Sequence, residues 1–583
     1  LCKRLNKLDD SLVCIDHALS IAPAKAKAHF IKGQLLKTLG EWLEAIQCFS
    51  NALLVEPENA VYLFHRGVLY AMMGEKAKSL DDLDHALQVD PSFIQAYIGR
   101  SSLLSYARMF PDALADLLRA RELSSGGKSH QISSFILKVK SHLCDWSDWG
   151  ILQQELITEV YSSAISYGSF ALLSLTDDPS LHLHAAKSQG NVLSSLSDRL
   201  GTIKPKDGVE KIRVGYYSAD YSQHATMILM AELFELHDRQ GFEWYAFSFG
   251  EPDQTDPMYR RAHVAFDRFI DVRGLSPLEI AKLSRELQID IAVDLKGDTE
   301  DSRSSIFAYR AAPIQVNYLG YPGTMGTTYH DYIIADAWVV PDSLKEHYTE
   351  KVVRLPNSYQ VNDRKRQISD RPFSRKDCGL PEQGVVYACF NAVHKITPEV
   401  FASWMRILLA VPESVLWLFE GNQWAPSNLR SQAELHGIDP QRLIFAPTMF
   451  HPDHLARLQL VDLFLDTLPY NAHTTASDAL WAGVPVLTRM GQSFAARVAA
   501  SLLSAVGLPE LITQTPEEYG TLAIDLGQHP ARLHSLKQRL QILRSSAPLF
   551  DTPQFARHLE SAFRLMVQRQ QTGLPPDHFD IES

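Results

Sequence analysis

Residues 462–483 read Asp-Leu-Phe-Leu-Asp-Thr-Leu-Pro-Tyr-Asn-Ala-His-Thr-Thr-Ala-Ser-Asp-Ala-Leu-Trp-Ala-Gly. An apolar run ends at Asp466, a loop follows, and His473-Thr474-Thr475 opens a helical pattern that stops at Gly483. Strand, loop and helix in that order form half of a βαβ unit and predict a parallel sheet. A helix N-terminus carries free N–H groups and positive partial charge, so it is a ready anion site. Two threonine hydroxyls add donors at the same place, which suits a diphosphate. Asp478 lies one turn further in, near enough to accept hydrogen bonds from a ribose diol. The alternative is that Thr474 simply caps the helix, worth about 1 kcal/mol. Taken alone, the segment does not separate the two.

The same alternation extends in both directions from this segment. Upstream in the second half, strands are expected at Val385–Phe390, Val415–Phe419, Leu443–Ala446 and Leu463–Asp466, with Val486–Thr488 downstream. A first half shows Ile212–Tyr217, Trp244–Phe249, Ile289–Leu295, Ile314–Leu319, Tyr332–Ala335 and Val352–Leu355. Helical patterns such as Thr226–Asp238 and Pro277–Leu287 lie between them. Short apolar runs without polar alternation indicate parallel strands buried on both faces. Two such doubly wound domains place ligands at the carboxyl ends of their strands, so the cleft between them is the expected site. The charged stretch Arg364–Arg375 reads as the hinge. Helices at Glu518–Leu526, Arg532–Leu543 and Pro553–Val567 close the chain, and a polar tail from about Thr572 is expected to be loosely ordered.

The front of the chain repeats. Ala18, Ala52, Ala86 and Ala120 recur at one spacing, as do Pro23, Pro57 and Pro91; Gly33 pairs with Gly67, and Gly40 with Gly74. The unit G-x6-G-x4-A-x6-A-x4-P looks like the tetratricopeptide repeat, two helices crossing at small residues with Pro after the second. The register is expected to fail in the third unit, where Ser101 and Arg108 stand at the Gly positions. Such arrays bind and space partners and carry no chemistry themselves. The run Ser124–Ser129 ends in Gly-Lys-Ser, but Glu122 stands where a phosphate loop needs its first Gly, so it reads as a flexible turn. His182 and His184 lack a third ligand nearby and read as structural. Expected boundaries are 1–123 for the repeats, 124–206 for a helical connector, 207–375 and 376–550 for two Rossmann-like domains, and 551–583 for a closing helix and tail.

With 583 residues, about three to five domain-sized units are expected. A net charge of −12 offers no basic field for nucleic acid or an anionic membrane. The richest apolar stretch, Trp404–Leu418, holds Arg406, Pro412 and Glu413, which excludes a membrane span there. The six cysteines are scattered with no C-x-x-C pair, against a disulfide framework or Cys-based zinc site and in favour of a reducing, cytoplasmic setting. The chain starts at Leu1 without Met, and further residues upstream are expected.

Other candidates sit at strand ends. Asn391 and Lys395 follow the first strand of the second half, where a point cation could neutralise charge on a departing phosphate. His454 and Arg457 share one helix face; a solvated face is the bland account. His224 opens a helix after the first strand, where the dipole lowers an imidazole pKa and a neutral ring accepts or donates at the cleft. Gly320-Tyr321-Pro322-Gly323-Thr324 forms a tight loop that exposes backbone N–H groups toward substrate or serves as a structural turn. Neither half contains D-x-D, and Asp462 and Asp466 do not make a metal site.

Taken together, the repeats, C-D-W-S-D-W (144–149), A-P-I-Q-V-N-Y-L-G-Y-P-G-T (312–324), F-N-x-x-x-K (390–395), N-A-H-T-T-A-S-D-A-L-W-A-G-V-P-V (471–486) and A-A-R-V-A-A-S-L-L (495–503) resemble the protein O-GlcNAc transferase/SPINDLY family. The resemblance covers nearly the whole chain and is closest to bacterial O-GlcNAc transferase homologues. It implies a GT-B fold behind a superhelix of repeats, inverting transfer of GlcNAc from UDP-GlcNAc to Ser/Thr hydroxyls, and no cofactor or metal. Acceptors would be proteins or peptides, reached through the repeats and cleft. By the same resemblance, Lys395 and Asn391 belong to the donor-diphosphate motif. His473, Thr474 and Thr475 contact the phosphates, and Asp478 the ribose. His454 and Arg457 stand near uracil and phosphates, His224 matches the cleft histidine proposed as base, and Pro322 and Gly323 lie in a loop lining the site.

His473 together with Asp478 favours UDP-GlcNAc over the GDP-fucose of SPINDLY-type enzymes. Departures fall at Ala392 and His394, at Asp294–Thr299 (which replaces an N-G-Y-T ending) and at His451, in place of a lysine. Ile31, His65 and Gly99 stand where animal enzymes carry an asparagine ladder, so that mode of peptide recognition is not inherited. Two alternatives remain: the same fold with another nucleotide sugar, or a repeat scaffold with weak or no turnover.

Overall fold

The computed structural model describes residues 8–124, 130–162, 169–190, 196, 200–203 and 211–582. The Gly-rich turn expected before Ser129 lies outside them. The chain divides into two compact units, one built from the helical repeats and one from the α/β domains.

The α/β unit holds two sheets in which every strand pair is parallel. The first contains β1 (Ile212–Ser218), β2 (Phe242–Ser248), β3 (Arg268–Asp271), β4 (Ile291–Asp294), β5 (Ile314–Asn317), β6 (Tyr332–Asp336) and β7 (Lys351–Leu355). The second contains β8 (Val386–Cys389), β9 (Val415–Phe419), β10 (Leu443–Ala446), β11 (Leu463–Leu465), β12 (Val486–Arg489) and β13 (Ile512–Thr513). One further strand, β14 (Phe579–Asp580), joins the first sheet. Their orders are β14-β7-β6-β5-β4-β1-β2-β3 and β10-β9-β8-β11-β12-β13. Strands such as β4 and β8 are buried along their whole length, which explains their unbroken apolar character.

These orders create two topological switch points. From β1 the chain moves outward through β2 and β3, then returns to place β4 on the other side of β1. From β8 it moves through β9 and β10, then returns to place β11 on the other side of β8. The loops after β1 and β4, and after β8 and β11, diverge there and leave crevices at the carboxyl ends.

The hinge ties the two halves through charges of alternating destination. Arg364 and Lys365 reach back to Glu232 and Glu235 of the first half, at 2.7 and 2.6 Å. Arg366 and Arg375 reach forward to Asp478 and Asp462 of the second, both at 2.9 Å. The closing helix Thr552–Gln571 returns to pack on the first-half helix Ala225–Leu236. Its buried Glu560 accepts the Asp238 amide at 2.9 Å and faces His237 Nδ1 at 3.1 Å. The tail expected to be loose is instead ordered: β14 pairs with β7 at Val353 and Arg354, and the Ile581 amide donates to Arg354 O. Two residues of pairing are too short to leave a periodic signal. The edge strand β3 is polar at both ends and was likewise not anticipated.

Among the described residues of the repeat unit, three helix pairs follow a first helix Leu8–Ile21: Ala26–Thr38 with Trp42–Val55, Ala60–Met72 with Lys76–Val89, and Ile94–Tyr106 with Phe110–Leu123. Ala45, Ala52, Ala86, Ala113 and Ala120 are fully buried where helices cross. The repeat extends to charge: Arg66 forks onto Asp82, and Arg100 onto Asp116. The expected loss of register in the third unit does not occur, because every helix boundary there keeps the period. Ser101 is buried in place of Gly and turns its hydroxyl onto Ile98 O at 2.7 Å. Arg108 adopts φ 59°, the left-handed turn that Gly40 (79°) and Gly74 (80°) take without strain. Arg108→Gly is therefore expected to stabilise the chain by up to about 1 kcal/mol, read as a higher urea midpoint at unchanged m-value.

Candidate active site

The crevice between β8 and β11 is organised by one carboxylate. Asp466, just past the end of β11, is buried and accepts the amides of Thr467 (2.7 Å) and Ala472 (2.6 Å) and the Thr488 hydroxyl (2.7 Å). Asn391 Nδ2, following β8, donates to Thr467 Oγ1 at 2.7 Å and approaches Asp466 at 3.3 Å. The Thr475 hydroxyl donates to Asn391 Oδ1, so the two loops are stitched together. Burial pushes the Asp466 carboxyl up to about 6, against the pull of its donors.

The lysine on this platform has an unusual set of partners. Lys395 Nζ donates to Asn471 O at 3.1 Å and lies 3.5 Å from the centroid of the Tyr470 ring. Burial brings its pKa down to about 8, with Asp466 opposing. Among the described residues it makes no ion pair. The helix Thr474–Ala482 starts beside it, with His473 at the capping position and no side-chain cap. The account in which Thr474 caps the helix is thereby excluded. The first intrahelical bond is Ser477 N to His473 O, so the amides of Thr474, Thr475 and Ala476 precede the hydrogen-bonded ladder. Burial, and then Lys395, hold the His473 imidazole far below its ordinary pKa, and its Nε2 lies 3.2 Å from Ala495 O.

One turn along, Asp478 is buried and committed on one side. Its Oδ1 accepts from the fully buried Arg366 at 2.9 Å and lies 3.2 Å from His451 Nε2. Burial pushes this carboxyl up, but His451 and Arg366 outweigh it and hold it below the usual range. Its Oδ2 takes no donor among the described residues. The helix His451–Leu458 packs on the helix Thr474–Ala482 and carries His454 and Arg457 inward rather than to solvent. Arg457 Nε donates to His454 Nδ1 at 3.1 Å, and both lie against Phe390. An imidazole accepting from a guanidinium must be neutral there, and burial lowers the His454 pKa to about 4.

In the first half, His224 caps the helix Ala225–Leu236, whose body packs on the helix Thr474–Ala482. The Thr226 amide donates to His224 Nδ1 at 3.3 Å, which places the proton of the neutral ring on Nε2. Asp220 lies 3.4 Å from His224 Nδ1 and is itself gripped through both oxygens by buried Lys296, at 2.9 and 3.0 Å. That pair spans the β1–β4 switch point. The His224 pKa is lowered, first by burial and then by Lys296, with Asp220 opposing.

The loop holding Pro322 and Gly323 is buried and pinned. Asn317 Nδ2 donates to Gly323 O at 3.0 Å, and Glu350 accepts from the Thr324 hydroxyl and the Met325 amide. Gly320 approaches so closely that an added Cβ would stand 1.9 Å from Leu295 O. Tyr321 and Met325 pack with Tyr470 and Ala495, so the first-half loop abuts the second-half platform. Asp298 takes donors from Ser169, Phe170 and Gln189.

The structure therefore joins Asn391, Lys395, His473 and Thr475 in one network, and Asp478, His454 and Arg457 in an adjoining one. No hydrogen bond or ion pair among the described residues links His224 to either. Sequence reading missed Asp466 as organiser, Tyr470 as a cation partner, and Arg366, Asp220 and Lys296 as buried ions. Only Asp220 left a signal, four residues before His224. No group of three or more His, Cys, Asp or Glu side chains among the described residues is placed to hold a metal. Cys14, Cys48, Cys144, Cys378 and Cys389 are free thiols.

Two all-parallel sheets, each with a topological switch point, define a doubly wound α/β architecture of the GT-B kind. The profile of glycosyl transferase family 41 matches residues 201–371 and 370–559, and the chain belongs to that family. It is 34% identical over 460 residues to an Arabidopsis thaliana protein described as a probable UDP-N-acetylglucosamine–peptide N-acetylglucosaminyltransferase SEC, covering 75% of this chain and 47% of that one. A Caenorhabditis elegans UDP-N-acetylglucosamine–peptide N-acetylglucosaminyltransferase is 27% identical, with 63% and 42% covered. The chain spans about half the length of these curated relatives. A lysine-to-methionine mutant of Thermobaculum terrenum O-GlcNAc transferase superposes with a TM-score of 0.67 at 28% identity, covering 93% of this chain and 97% of that one. No helix among the described residues is long and apolar enough to cross a membrane.

The neutral, partly buried His454 has a consequence for stability. Its folded pKa lies below the unfolded value of 6.5, so the unfolded chain binds more protons between about pH 4 and 6.5. Stability therefore falls as pH drops through that window, by about 1.4 kcal/mol per unit for this group. His454→Gln is expected to flatten that acid slope by roughly this amount, measured by urea unfolding at pH 5 and 6.5.

Proposed function

We propose that this chain transfers GlcNAc from UDP-GlcNAc to Ser or Thr hydroxyls of proteins, with inversion at the anomeric carbon and without a metal. The carrying observation is the N-terminus of Thr474–Ala482, without a side-chain cap, beside a lysine that makes no ion pair among the described residues. Both point their charge into the β8–β11 switch point, where a diphosphate would sit. The Thr474 hydroxyl and the Thr475 amide supply further donors, while the Thr475 hydroxyl stays on Asn391, and the open Oδ2 of Asp478 suits a ribose hydroxyl. His454 and Arg457 would flank the uracil and phosphates. Proteins named for UDP-GlcNAc–peptide transfer among the relatives support the donor and the acceptor class.

In this reading the acceptor oxygen attacks the anomeric carbon from the face opposite UDP. The bond from that carbon to the diphosphate oxygen breaks, and the electron pair leaves with UDP. Lys395 and the helix amides stabilise the charge that grows there, the task a metal ion serves in other transferases. Asn391 and Asp466 hold the donors in place before reaction, so little reorganisation is needed. His224 takes a donor role: with Nδ1 accepting the Thr226 amide, its Nε2–H is the atom available to substrate. The acceptor proton then leaves through solvent. The repeat helices would present protein acceptors, without the asparagine ladder of the animal enzymes.

Lys395→Ala is expected to abolish transfer, a loss of at least about a hundredfold, while leaving the thermal midpoint close to wild type. Mass spectrometry of lysate proteins incubated with UDP-GlcNAc reads the transfer, and EDTA is expected to leave it unchanged. Titration calorimetry with UDP and GDP checks the donor; tight GDP binding with no UDP binding would overturn the assignment.

A further inference from the structure

We propose that Tyr470 is a positioning residue for Lys395: its ring face holds the ammonium group charged and free for the donor diphosphate. This rests on the donor-site reading above. Lys395 Nζ stands 3.5 Å from the Tyr470 centroid and, among the described residues, has a single hydrogen bond, to the backbone carbonyl of the residue after that tyrosine, Asn471. A buried ammonium group ordinarily takes a carboxylate, and that partner would have to be displaced before a phosphate could bind. The nearby carboxylate is Asp466, whose oxygens are already taken by two amides, a threonine hydroxyl and Asn391. Compensation therefore comes from a carbonyl dipole and a ring quadrupole. Neither carries net charge, so both stabilise the cation without neutralising it.

The ring is fixed for this purpose. Tyr470 is 7% exposed and packed by Leu173, Tyr321, Met325 and Ala495, with the Phe170 ring nearly perpendicular to it at a centroid distance of 6.0 Å. The His473 ring centroid stands 4.9 Å from that of Tyr470. The ionisable groups facing Lys395 are Asp466 and Cys389, which favour its charge, and His473, which stays neutral. Burial opposes these charges and lowers the Lys395 pKa, and the ring face at 3.5 Å adds to what favours the protonated form.

The test varies the ring's negative face at near-constant shape. Position 470 receives phenylalanine, then mono-, di- and trifluorophenylalanine, in the full chain. Lys395 is titrated without donor through the pH dependence of its acylation by acetic anhydride, read on its peptide by mass spectrometry. Tyr470→Phe is expected to keep the wild-type midpoint, and fluorination to lower it stepwise, by about one pH unit in total. Tyr470→Met, which removes the ring, is expected to lower it comparably. A flat fluorine series overturns the proposal whatever the Met variant does. UDP affinity above both midpoints is expected to weaken roughly tenfold across the series. A stepwise titration with no UDP binding by the wild-type chain would instead overturn the donor-site reading, and with it the ring's service to a diphosphate.

Discussion

A buried carboxylate at the end of a central strand sets the geometry on which the candidate site depends. Asp466 faces two backbone amides of the loop that follows it, a threonine hydroxyl from β12 and Asn391 from after β8, so donors from three stretches of chain converge on it. An ion in so dry a place is costly unless several donors converge on it. The donors that satisfy it also fix the path of the loop from Thr467 to Ala472. That path puts Asn471 O and the Tyr470 ring beneath Lys395, and it starts the next helix with bare amides. The electrostatics of the crevice thus follow from the need to satisfy one internal anion.

The crevice handles its other charges by two different rules. Arg366 pairs with Asp478 while the His451 ring lies 3.2 Å from the same carboxylate oxygen, which leaves the other oxygen open among the described residues. In the first half, Lys296 holds both oxygens of Asp220 beside His224. Lys395 makes no ion pair among the described residues: its direct partners are a carbonyl and a ring face, with Asp466 acting only through space. Paired ions make a rigid frame, and in the proposed reading the lysine without an ion pair among the described residues offers its charge to an anion inside it. Family 41 membership is consistent with such a division, and the match to a bacterial O-GlcNAc transferase structure extends over nearly the whole chain.

Much of this was legible in residue order. The alternation of apolar runs and helical patterns located the strands that became sheet interiors, because strands buried on both faces must be apolar throughout. The recurrence of Ala52, Ala86 and Ala120 located the helix pairs, since close crossings accept only small side chains. His473-Thr474-Thr475 announced a helix start after a strand. Where the reading failed, the local signal was weak or misleading. Arg108 looked like a break in the repeat because glycine is the usual occupant of a left-handed turn, yet the packing of the third pair imposes that backbone on arginine. The tail after Thr572 looked disordered because β14 gains its stability from β7, hundreds of residues away.

What the sequence by itself determined is the set of local preferences: which segments are strands, which are helices, and which loops carry donors and cations at strand ends. These depend on periodicity, capping and turn chemistry, which act over a few residues. Only the tertiary structure decided which charges meet. Arg366 finding Asp478, Lys296 finding Asp220, and the Tyr470 ring lying under Lys395 all join residues brought together by strand order rather than by chain order. Burial then determines their charge states, because the cost of an ion depends on its surroundings in three dimensions and not on its neighbours along the chain.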